Sequence, residues 1–390
     1  VKNQPQEPVG HLYLGRIYEQ QDKLEKAEVE YAWVFERDPT HSNGAPELVR
    51  VLVRQNKFKK IKQACDKILR SDPNNVLARK VLGYIMLGES KLDDALQHLT
   101  ALESLESDPT ETRFKVALIQ IEKQNYREAM RELNLVLAKN PKHAEARYYL
   151  ASLYAGSGRR KEAIDELDAI DRESPMYVKA KTFAAFVLRQ ANDLDGALEA
   201  VDAALAIQPD NTNLTLYSVL VLRDMREYRK AESRLRAALQ VAPTDEALLF
   251  NLALVLHERG SEDEAISIMD RIAQSNPKNS DALNYVAYAL AERGVDLTRA
   301  LQMVQKAVEL RPGDGFYLDT LGYILFKQGK LEESEEILAR AVGITGQDPV
   351  IVEHYVQVLI AQHQQPKAVS ILKAVCEQPA SDEDSRDKEK

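Results

Sequence analysis

Residues 144–175 read AEARYYLASLYAGSGRRKEAIDELDAIDRESP, and this stretch decides the fold. Its first part, 145–154, spaces apolar residues three to four apart, as on one face of an amphipathic helix. Gly156-Ser157-Gly158 interrupts that spacing, and residues 161–170 resume it. Pro175 ends it, because proline disfavours helical geometry in the residue before it. The stretch therefore predicts a hairpin of two helices, which needs a neighbour on each side to bury both apolar faces.

The rest of the chain repeats this hairpin at a nearly constant interval. Small residues mark the predicted second helix of every unit; we call them the alanine column: Ala27, Ile61, Ala95, Ala129, Ala163, Ala197, Ala231, Ala265, Ala300, Ser334 and Ala368. The first eight lie 34 residues apart, and the following steps are 35, 34 and 34. The additional residue falls at Gly294-Val295-Asp296, where we expect a connection between two helices.

Two further columns keep the same interval. The first-helix column contains small or β-branched residues: Gly15, Val49, Gly83, Ala117, Ala151, Ala185, Val219, Ala253, Ala287, Gly322 and Val356. The apolar column lies four residues after the alanine column: Tyr31, Cys65, Leu99, Leu133, Leu167, Val201, Leu235, Met269, Val304, Leu338 and Leu372. Agreement of three columns over eleven units predicts an array of equivalent hairpins in which helices approach closely.

These columns, with a proline near the end of each unit, resemble the tetratricopeptide repeat, a helix–turn–helix unit of 34 residues. The resemblance implies an all-α, right-handed α-solenoid, or superhelix, of about eleven repeats. The resemblance covers a continuous array over 8–379. Residues 1–7 fit no repeat and stay unassigned. Residues 380–390 are charged and poor in apolar residues, so we expect a disordered tail. The predicted repeats are 8–41, 42–75, 76–109, 110–143, 144–177, 178–211, 212–245, 246–279, 280–314, 315–348 and 349–379.

Composition limits the classes of function. The net charge of −9 opposes general nucleic-acid binding, and no apolar run is long enough to span a membrane. Cys65 and Cys376 fall at core-facing positions, so we expect packed thiols rather than a disulfide or a metal pair. The seven histidines form no ligand-spaced cluster, and no phosphate-binding or nucleophile motif is present. We therefore expect a non-catalytic protein without cofactor, metal or small-molecule substrate.

One part of the chain departs from the acidic average. Residues 51–100 contain ten basic and five acidic residues, and Lys57, Lys59, Lys60 and Lys62 lie close together in the sequence. A solvated helix face is one interpretation. A site for an acidic partner or for anionic lipid headgroups is the other.

The first helices of successive repeats line the inner surface of a solenoid, so their exposed positions are candidates for partner binding. Aromatic residues and arginines are enriched at binding hot spots, and both recur at these positions. The candidate residues are Tyr84, Phe114, Tyr148, Phe186, Leu220, Phe250, Tyr288, Tyr323, Arg16, Arg50, Arg189 and Arg223. We expect a protein or peptide partner in this concave groove, either an extended or a helical apolar segment whose carboxylates meet the arginines. Packing of some rings against the adjacent repeat is the alternative.

Two known variants of the repeat fit poorly. The chaperone-binding carboxylate clamp needs paired lysine and asparagine where this sequence has Tyr148, Ser152 and Phe186. The glycosyltransferase type needs an asparagine in each repeat, and only Asn251 provides one. The remaining residues of that column are Val81, Lys115, Tyr149, Phe183, Tyr217 and Tyr285.

Residues 282–341 carry a narrower resemblance. The pattern L-N-x-x-A-Y-x-L-A-x-R-G, the additional residue before Ala300 and the following D-x-L-G-Y are similar to the closing repeats of Gram-negative repeat lipoproteins. Members of that group lie on the periplasmic face of the outer membrane, and some scaffold a protease with its substrates. The resemblance alone implies a periplasmic location and a lipid anchor, whose cysteine is absent from this sequence.

The sequence therefore predicts a non-catalytic scaffold that binds a partner in its groove, in a bacterial cell-envelope complex that recruits a protease or its substrates. Two alternatives remain. One is a self-associating structural protein that forms a homodimer, and the other is a cytoplasmic adaptor or co-chaperone.

Overall fold

The computed structural model describes residues 7–346 and 348–376, and every regular element in these ranges is an α-helix. The chain divides into two compact units, Val1–Asn192 and Asp193–Lys390. The helices of unit 1 are α1 (Pro8–Gln20), α2 (Leu24–Arg37), α3 (Gly44–Arg54), α4 (Phe58–Ser71), α5 (Val76–Gly88), α6 (Leu92–Leu102), α7 (Thr110–Glu122), α8 (Tyr126–Lys139), α9 (Ala144–Gly156), α10 (Arg160–Asp168) and α11 (Tyr177–Gln190).

Unit 2 contains the remaining described helices. They are α12 (Leu194–Leu205), α13 (Thr212–Asp224), α14 (Tyr228–Val241), α15 (Glu246–Glu258), α16 (Glu262–Ser275), α17 (Ser280–Arg293), α18 (Leu297–Leu310), α19 (Gly315–Lys327), α20 (Leu331–Thr345), α21 (Pro349–Ala361) and α22 (Gln365–Cys376). The division between the units falls inside the predicted repeat 178–211, and continuity of the array across it stays a prediction.

The repeating columns form the core of each unit. Every residue of the alanine column is at most 3% exposed, because two helices meet there. At Gly15, Gly83 and Gly322 the first-helix column faces the apolar column within the hairpin. At Gly15, an added Cβ would lie 2.4 Å from the ring of Tyr31, and at Gly322 it would lie 2.5 Å from Leu338. Glycine at these positions allows a large residue of the second helix to approach the backbone of the first.

Each hairpin turns through one residue in the left-handed conformation. These residues are Asp22, Asn56, Ser90, Gln124, Gly158, Asn192, Arg226, Gly260, Gly294, Gly329 and His363. A left-handed conformation costs a non-glycine residue about 1–2 kcal/mol, so packing of the hairpins must hold the turn. The additional residue near 295 adds a second left-handed position at Asp296, and it lies between α17 and α18.

Polar side chains cap the N-termini of several first helices. Asn75 accepts a hydrogen bond from the backbone N–H of Ala78, and Asn211, Asp245 and Asn279 cap α13, α15 and α17 in the same way. An N-cap satisfies one of the backbone donors that a helix end leaves open. In these four repeats a polar residue after the proline therefore sets where the next hairpin starts.

The prediction of an all-α solenoid is confirmed. Cys65 is fully buried with a free thiol, and burial raises its pKa to about 12. The side chain of Cys376, the predicted tail at 380–390 and all of the predicted segment 1–7 except Glu7 lie outside the described residues. Within the described ranges, no helix combines the length and the apolar character needed to cross a lipid bilayer.

Candidate partner-binding surface

Five aromatic rings of unit 1 form a continuous set of contacts across α7, α9 and α11. We call Phe114, Tyr148, Tyr149, Phe183 and Phe186 the aromatic face. The ring centroids of Phe114 and Tyr149 are 6.0 Å apart, and those of Tyr149 and Tyr148 are 5.9 Å apart. Tyr148 lies 5.6 Å from Phe183, which lies 6.4 Å from Phe186. These separations are within the range in which aromatic pairs attract each other.

The aromatic face extends from the core to the surface. Phe114 is buried against Leu133 and Leu150, whereas Tyr148, Tyr149 and Phe183 are half-buried. Phe186 is 48% exposed. The inner rings thus hold the outer ring in place, and little side-chain entropy remains to be lost when a partner packs against it.

Lysines lie over two of these rings. The Nζ atom of Lys179 is 4.5 Å from the ring centroid of Tyr148, and that of Lys115 is 5.7 Å from Phe114. An ammonium group over an aromatic ring is attracted by the negative face of the ring. Burial raises the pKa of Tyr148, so its phenol stays protonated at neutral pH. The aromatic face therefore combines apolar area with positive charge.

Three of the predicted arginines, Arg16, Arg50 and Arg223, bind carboxylates of this chain. In unit 1, Arg16 pairs with Glu47 at 3.1 Å, and Arg50 pairs with Glu19 at 2.7 Å and also contacts Glu47. Arg54 joins this cluster through Glu19 at 3.2 Å. From the sequence we expected these arginines to bind carboxylates of a partner. That expectation did not consider Glu47 and Glu19, which lie about one repeat away in the sequence and which the fold places beside Arg16 and Arg50.

The remaining two arginines lie elsewhere. In unit 2, the Nε atom of Arg223 donates to Glu258 at 2.9 Å. In unit 1, Arg189 is half-buried on α11, three residues after Phe186. The pairs of Arg16 and Arg50 are the exposed ones. Exposed ion pairs contribute about 1 kcal/mol or less, so a partner carboxylate could replace the intramolecular one at these two arginines.

Among the predicted aromatic and leucine residues of unit 2, one is buried and the others are half-buried. Tyr323 is only 6% exposed and packs in a core cluster with Ala287 and Ile324, and Phe250 packs against another core cluster. Leu220 and Tyr288 are half-buried. Phe114 of unit 1 is buried as well, so Phe114 and Tyr323 are core residues rather than exposed groove residues. Their rings fill space between successive hairpins, as in the alternative that the sequence left open.

The structure groups the predicted residues only in part. Phe114, Tyr148 and Phe186 come together, whereas Tyr84 lines a separate cavity with Val53 and Phe58. Tyr149 and Phe183 belong to the aromatic face but were assigned no role from the sequence. Their signal was present, because both fall in the column that also contains Tyr217 and Tyr285, where an aromatic residue recurs.

Comparison with known proteins identifies the repeat. A family model described as tetratricopeptide repeat matches residues 120–185 and 222–287, and a second tetratricopeptide repeat model matches residues 317–348. No curated protein matches the chain.

Solved structures of helical repeat proteins resemble the chain at low identity. The structure of Naa15/Naa10 bound to HypK has 16% identity and a TM-score of 0.45, and the match covers 94% of this chain and 68% of that one. Yeast Tom70 has 15% identity and a TM-score of 0.44, with 97% and 93% covered. A tetratricopeptide repeat protein from Parabacteroides merdae has 15% identity and a TM-score of 0.39, with 76% and 99% covered.

At these values the solved structures carry no argument about function. The family matches fall in both units, on hairpins that share the same buried columns and the same left-handed turns. These matches show that the chain contains tetratricopeptide repeats at residues 120–185, 222–287 and 317–348.

Proposed function

We propose that this chain is a non-catalytic scaffold that binds a segment of a partner protein on the aromatic face. The observation that carries the proposal is the continuous contact of five aromatic rings across α7, α9 and α11, ending at the exposed ring of Phe186. An exposed ring that is already supported by neighbouring rings has the properties of a binding hot spot.

The chemistry of the aromatic face suggests the chemistry of the partner. Aromatic and aliphatic side chains of the partner would pack on Phe186 and Tyr148. Carboxylates beside them would meet Lys179 and Lys115, whose ammonium groups lie over rings of the face. A partner segment that combines apolar and acidic residues fits both features.

Capture of partners from a lysate of the native organism tests this function when two variants are compared. Tyr148→Ala/Phe186→Ala should lose the partner that the wild-type chain retains. Tyr126→Ala/Phe316→Ala should keep it, because Tyr126 and Phe316 are 48% and 60% exposed but lie outside the aromatic face. Mass spectrometry identifies the bound proteins, and circular dichroism verifies equal helix content. Equal capture by the two double variants would contradict the proposal.

The place of action is a further proposal. The resemblance of residues 282–341 to Gram-negative repeat lipoproteins supports a role at the periplasmic face of the outer membrane, with a lipid anchor. There the scaffold would recruit a protease or its substrates. A cytoplasmic adaptor is the alternative, and fractionation of native cells with an antibody to this chain distinguishes the two compartments.

Self-association is the second candidate, and one observation favours it. Val9, Tyr13 and Ile17 are 56%, 61% and 47% exposed and follow each other at intervals of four residues along α1. Such spacing puts them on one face of the helix, where a second copy could pack. Sedimentation velocity over a range of concentrations tests this candidate. A monomer at every concentration rules it out and leaves the partner-binding function intact.

A further inference from the structure

A second apolar surface lies in unit 1, on helices other than those of the aromatic face. Val53 of α3, Phe58 of α4, and Val81, Tyr84, Ile85 and Gly88 of α5 surround a cavity of ≈ 480 Å³. Val53, Phe58 and Tyr84 are 48%, 53% and 37% exposed, so three large apolar side chains reach the solvent around one concavity. We call this cavity the α5 pocket. Its volume is in the range of ligand-binding pockets, and its walls offer apolar packing.

The charged residue that lines the α5 pocket is a carboxylate bonded to two lysines. Glu89, at the rim, accepts hydrogen bonds from both Lys62 and Lys91, and the second ion pair measures 2.9 Å. These two lysines lower the pKa of the Glu89 carboxyl group, so its negative charge is present at neutral pH and is outnumbered by theirs. The rim therefore keeps an excess of one positive charge.

The helices around the pocket are rich in basic residues, most of which are paired within this chain. Together α3, α4 and α5 contain nine basic and two acidic residues, in a chain whose net charge is −9. Six of the nine form ion pairs with carboxylates of this chain, namely Arg50, Arg54, Lys60, Lys62, Lys67 and Lys80. The charge that a ligand meets at the pocket is therefore that of Glu89 with its two lysines. A ligand with negative charge beside an apolar group matches both the wall and the rim.

The overall charge argues for a peptide rather than a bilayer as the source of that ligand. A chain with a net charge of −9 is repelled by an anionic membrane as a whole, and a basic patch must overcome this repulsion. A peptide segment meets only the local charge. The concave shape also fits a single side chain better than a flat lipid surface.

We propose that the α5 pocket is a second peptide-binding site, which takes one large apolar side chain of a partner segment whose neighbouring residues are acidic. The site goes beyond the proposed function, because it uses α3, α4 and α5 and does not depend on the aromatic face. A partner that engages both sites gains affinity from the linkage between its two segments.

Gly88 allows the pocket to be closed without disturbing the fold. It is the last residue of α5, and an added Cβ would meet no atom within 4 Å. Gly88→Phe should therefore fill the mouth of the pocket with its own ring. Gly343→Phe is the matched control, because Gly343 is also helical and also has open space around its Cβ direction, in α20.

The test uses a phage-displayed library of random peptides, selected on the wild-type chain after removal of all phage that bind Gly88→Phe. Enriched peptides should carry a leucine- or phenylalanine-sized residue flanked by aspartate or glutamate. Enrichment of peptides without acidic residues would overturn the proposal, and so would a selection that enriches nothing.

The enriched peptide is then synthesised, and its affinity is measured by fluorescence anisotropy. Gly88→Phe and Phe58→Ala should each lower the affinity about tenfold or more, whereas Gly343→Phe should leave it unchanged. Lys62→Glu should lower it as well and reduce its dependence on salt. Equal affinities for Gly88→Phe and Gly343→Phe would refute the site. Tyr148→Ala/Phe186→Ala should bind the peptide normally, so failure of the aromatic face and failure of the α5 pocket are separable.

Vesicles containing phosphatidylserine are the last probe. We expect no binding of the wild-type chain to them at physiological salt. Binding that Gly88→Phe abolishes would assign the pocket to a lipid surface and overturn the peptide proposal.

Discussion

Phe186 in unit 1 and Tyr323 in unit 2 occupy equivalent positions of the repeat but have different environments. Each directly follows a residue of the first-helix column, Ala185 and Gly322 respectively. Phe186 is 48% exposed, whereas Tyr323 is 6% exposed. The same column therefore supplies a surface ring in one region and a core ring in the other.

The following repeat explains the burial of Tyr323. His354 of α21 stacks on its ring with centroids 4.3 Å apart, and the Nδ1 atom of His354 lies 2.9 Å from Oδ1 of Asp319. Both His354 and Asp319 are buried, so this pair fixes the imidazole over the tyrosine. Tyr84 has the same repeat position as Tyr323, and the residue of the next repeat that corresponds to His354 is Lys115. Tyr84 is 37% exposed. His354 thus buries Tyr323 because Asp319 fixes the imidazole over its ring. The residue that corresponds to His354 in the repeat after Phe186 is Tyr217, so an aromatic residue at that position is not sufficient for burial.

The largest expected effect is the difference in unfolding free energy between the two alanine substitutions at Tyr323 and Phe186. Tyr323→Ala should lower the free energy of unfolding of unit 2 by about 3–5 kcal/mol, because a buried ring leaves a cavity. Phe186→Ala should cost less than about 1 kcal/mol, since half of its ring already meets water. Urea unfolding followed by circular dichroism, with hydrogen exchange of α19 and α21, measures both. Equal losses would show that the difference in exposure has no energetic consequence.

Alkaline pH should weaken both units alike, because each has a buried tyrosine bonded to a carboxylate. Tyr31 donates to Glu19 in unit 1 and Tyr317 donates to Asp281 in unit 2. Burial, followed by interaction with these carboxylates and others nearby, raises the pKa of each phenol to about 12. Between the ordinary value of 10.0 and about 12, the unfolded chain loses the proton and the folded chain keeps it, so stability falls as pH rises.

The loss of unfolding free energy should reach up to about 3 kcal/mol for each tyrosine. Tyr31→Phe should flatten the alkaline decline of unit 1, which the fluorescence of Trp33, the only tryptophan, follows. Tyr317→Phe should do the same for unit 2 in hydrogen exchange. An unchanged slope in both variants would mean that other groups cause the decline.

His354→Lys tests whether the ring of His354 causes the burial of Tyr323. It gives unit 2 the residue type that Lys115 provides at the corresponding position of the repeat after Tyr84, and it introduces an ammonium group near Asp319. We expect Tyr323 to become accessible to acetylation, with a loss of about 1 kcal/mol from the missing ring contact. Mass spectrometry of acetylated tyrosines measures this change, with Tyr317 as the internal control that should stay protected. A Tyr323 ring that remains protected would show that His354 does not determine its burial.

The smallest expected effect concerns the left-handed residue of the hairpin turns, a conformation that occurs in both units. Gln124 in unit 1 and Arg226 in unit 2 have positive φ angles of 61° and 58°. Replacing either with glycine should raise the free energy of unfolding by up to about 1 kcal/mol, because glycine adopts this conformation without steric cost. Gly158→Ala should lower it by a similar amount. Thermal unfolding measures all three, and opposite signs for Gln124→Gly and Arg226→Gly would contradict an equivalent turn in both units.

The sequence predicted the helical hairpins and their spacing well, because the same pattern of residues recurs in each of the eleven predicted repeats. The alanine column, the alternation of two helices and the place of the additional residue near 295 all follow from spacing alone. The last hairpin shows the limit of this reasoning. Leu372 belongs to the apolar column yet is 44% exposed, because no further hairpin covers it among the described residues. A column identifies the position that faces a neighbour but does not establish that the neighbour is there.

The sequence by itself determined the period, the helical hairpins and the residues at which two helices touch. Only the tertiary structure decided which rings of the first helices are exposed, which carboxylates bind Arg16 and Arg50, and how Phe58 and Tyr84 come to line one pocket. The physical reason is the range of the interactions. Hairpin formation depends on residues within one repeat, whereas exposure and ion pairing depend on single side chains of the next repeat, which no column conserves along the chain.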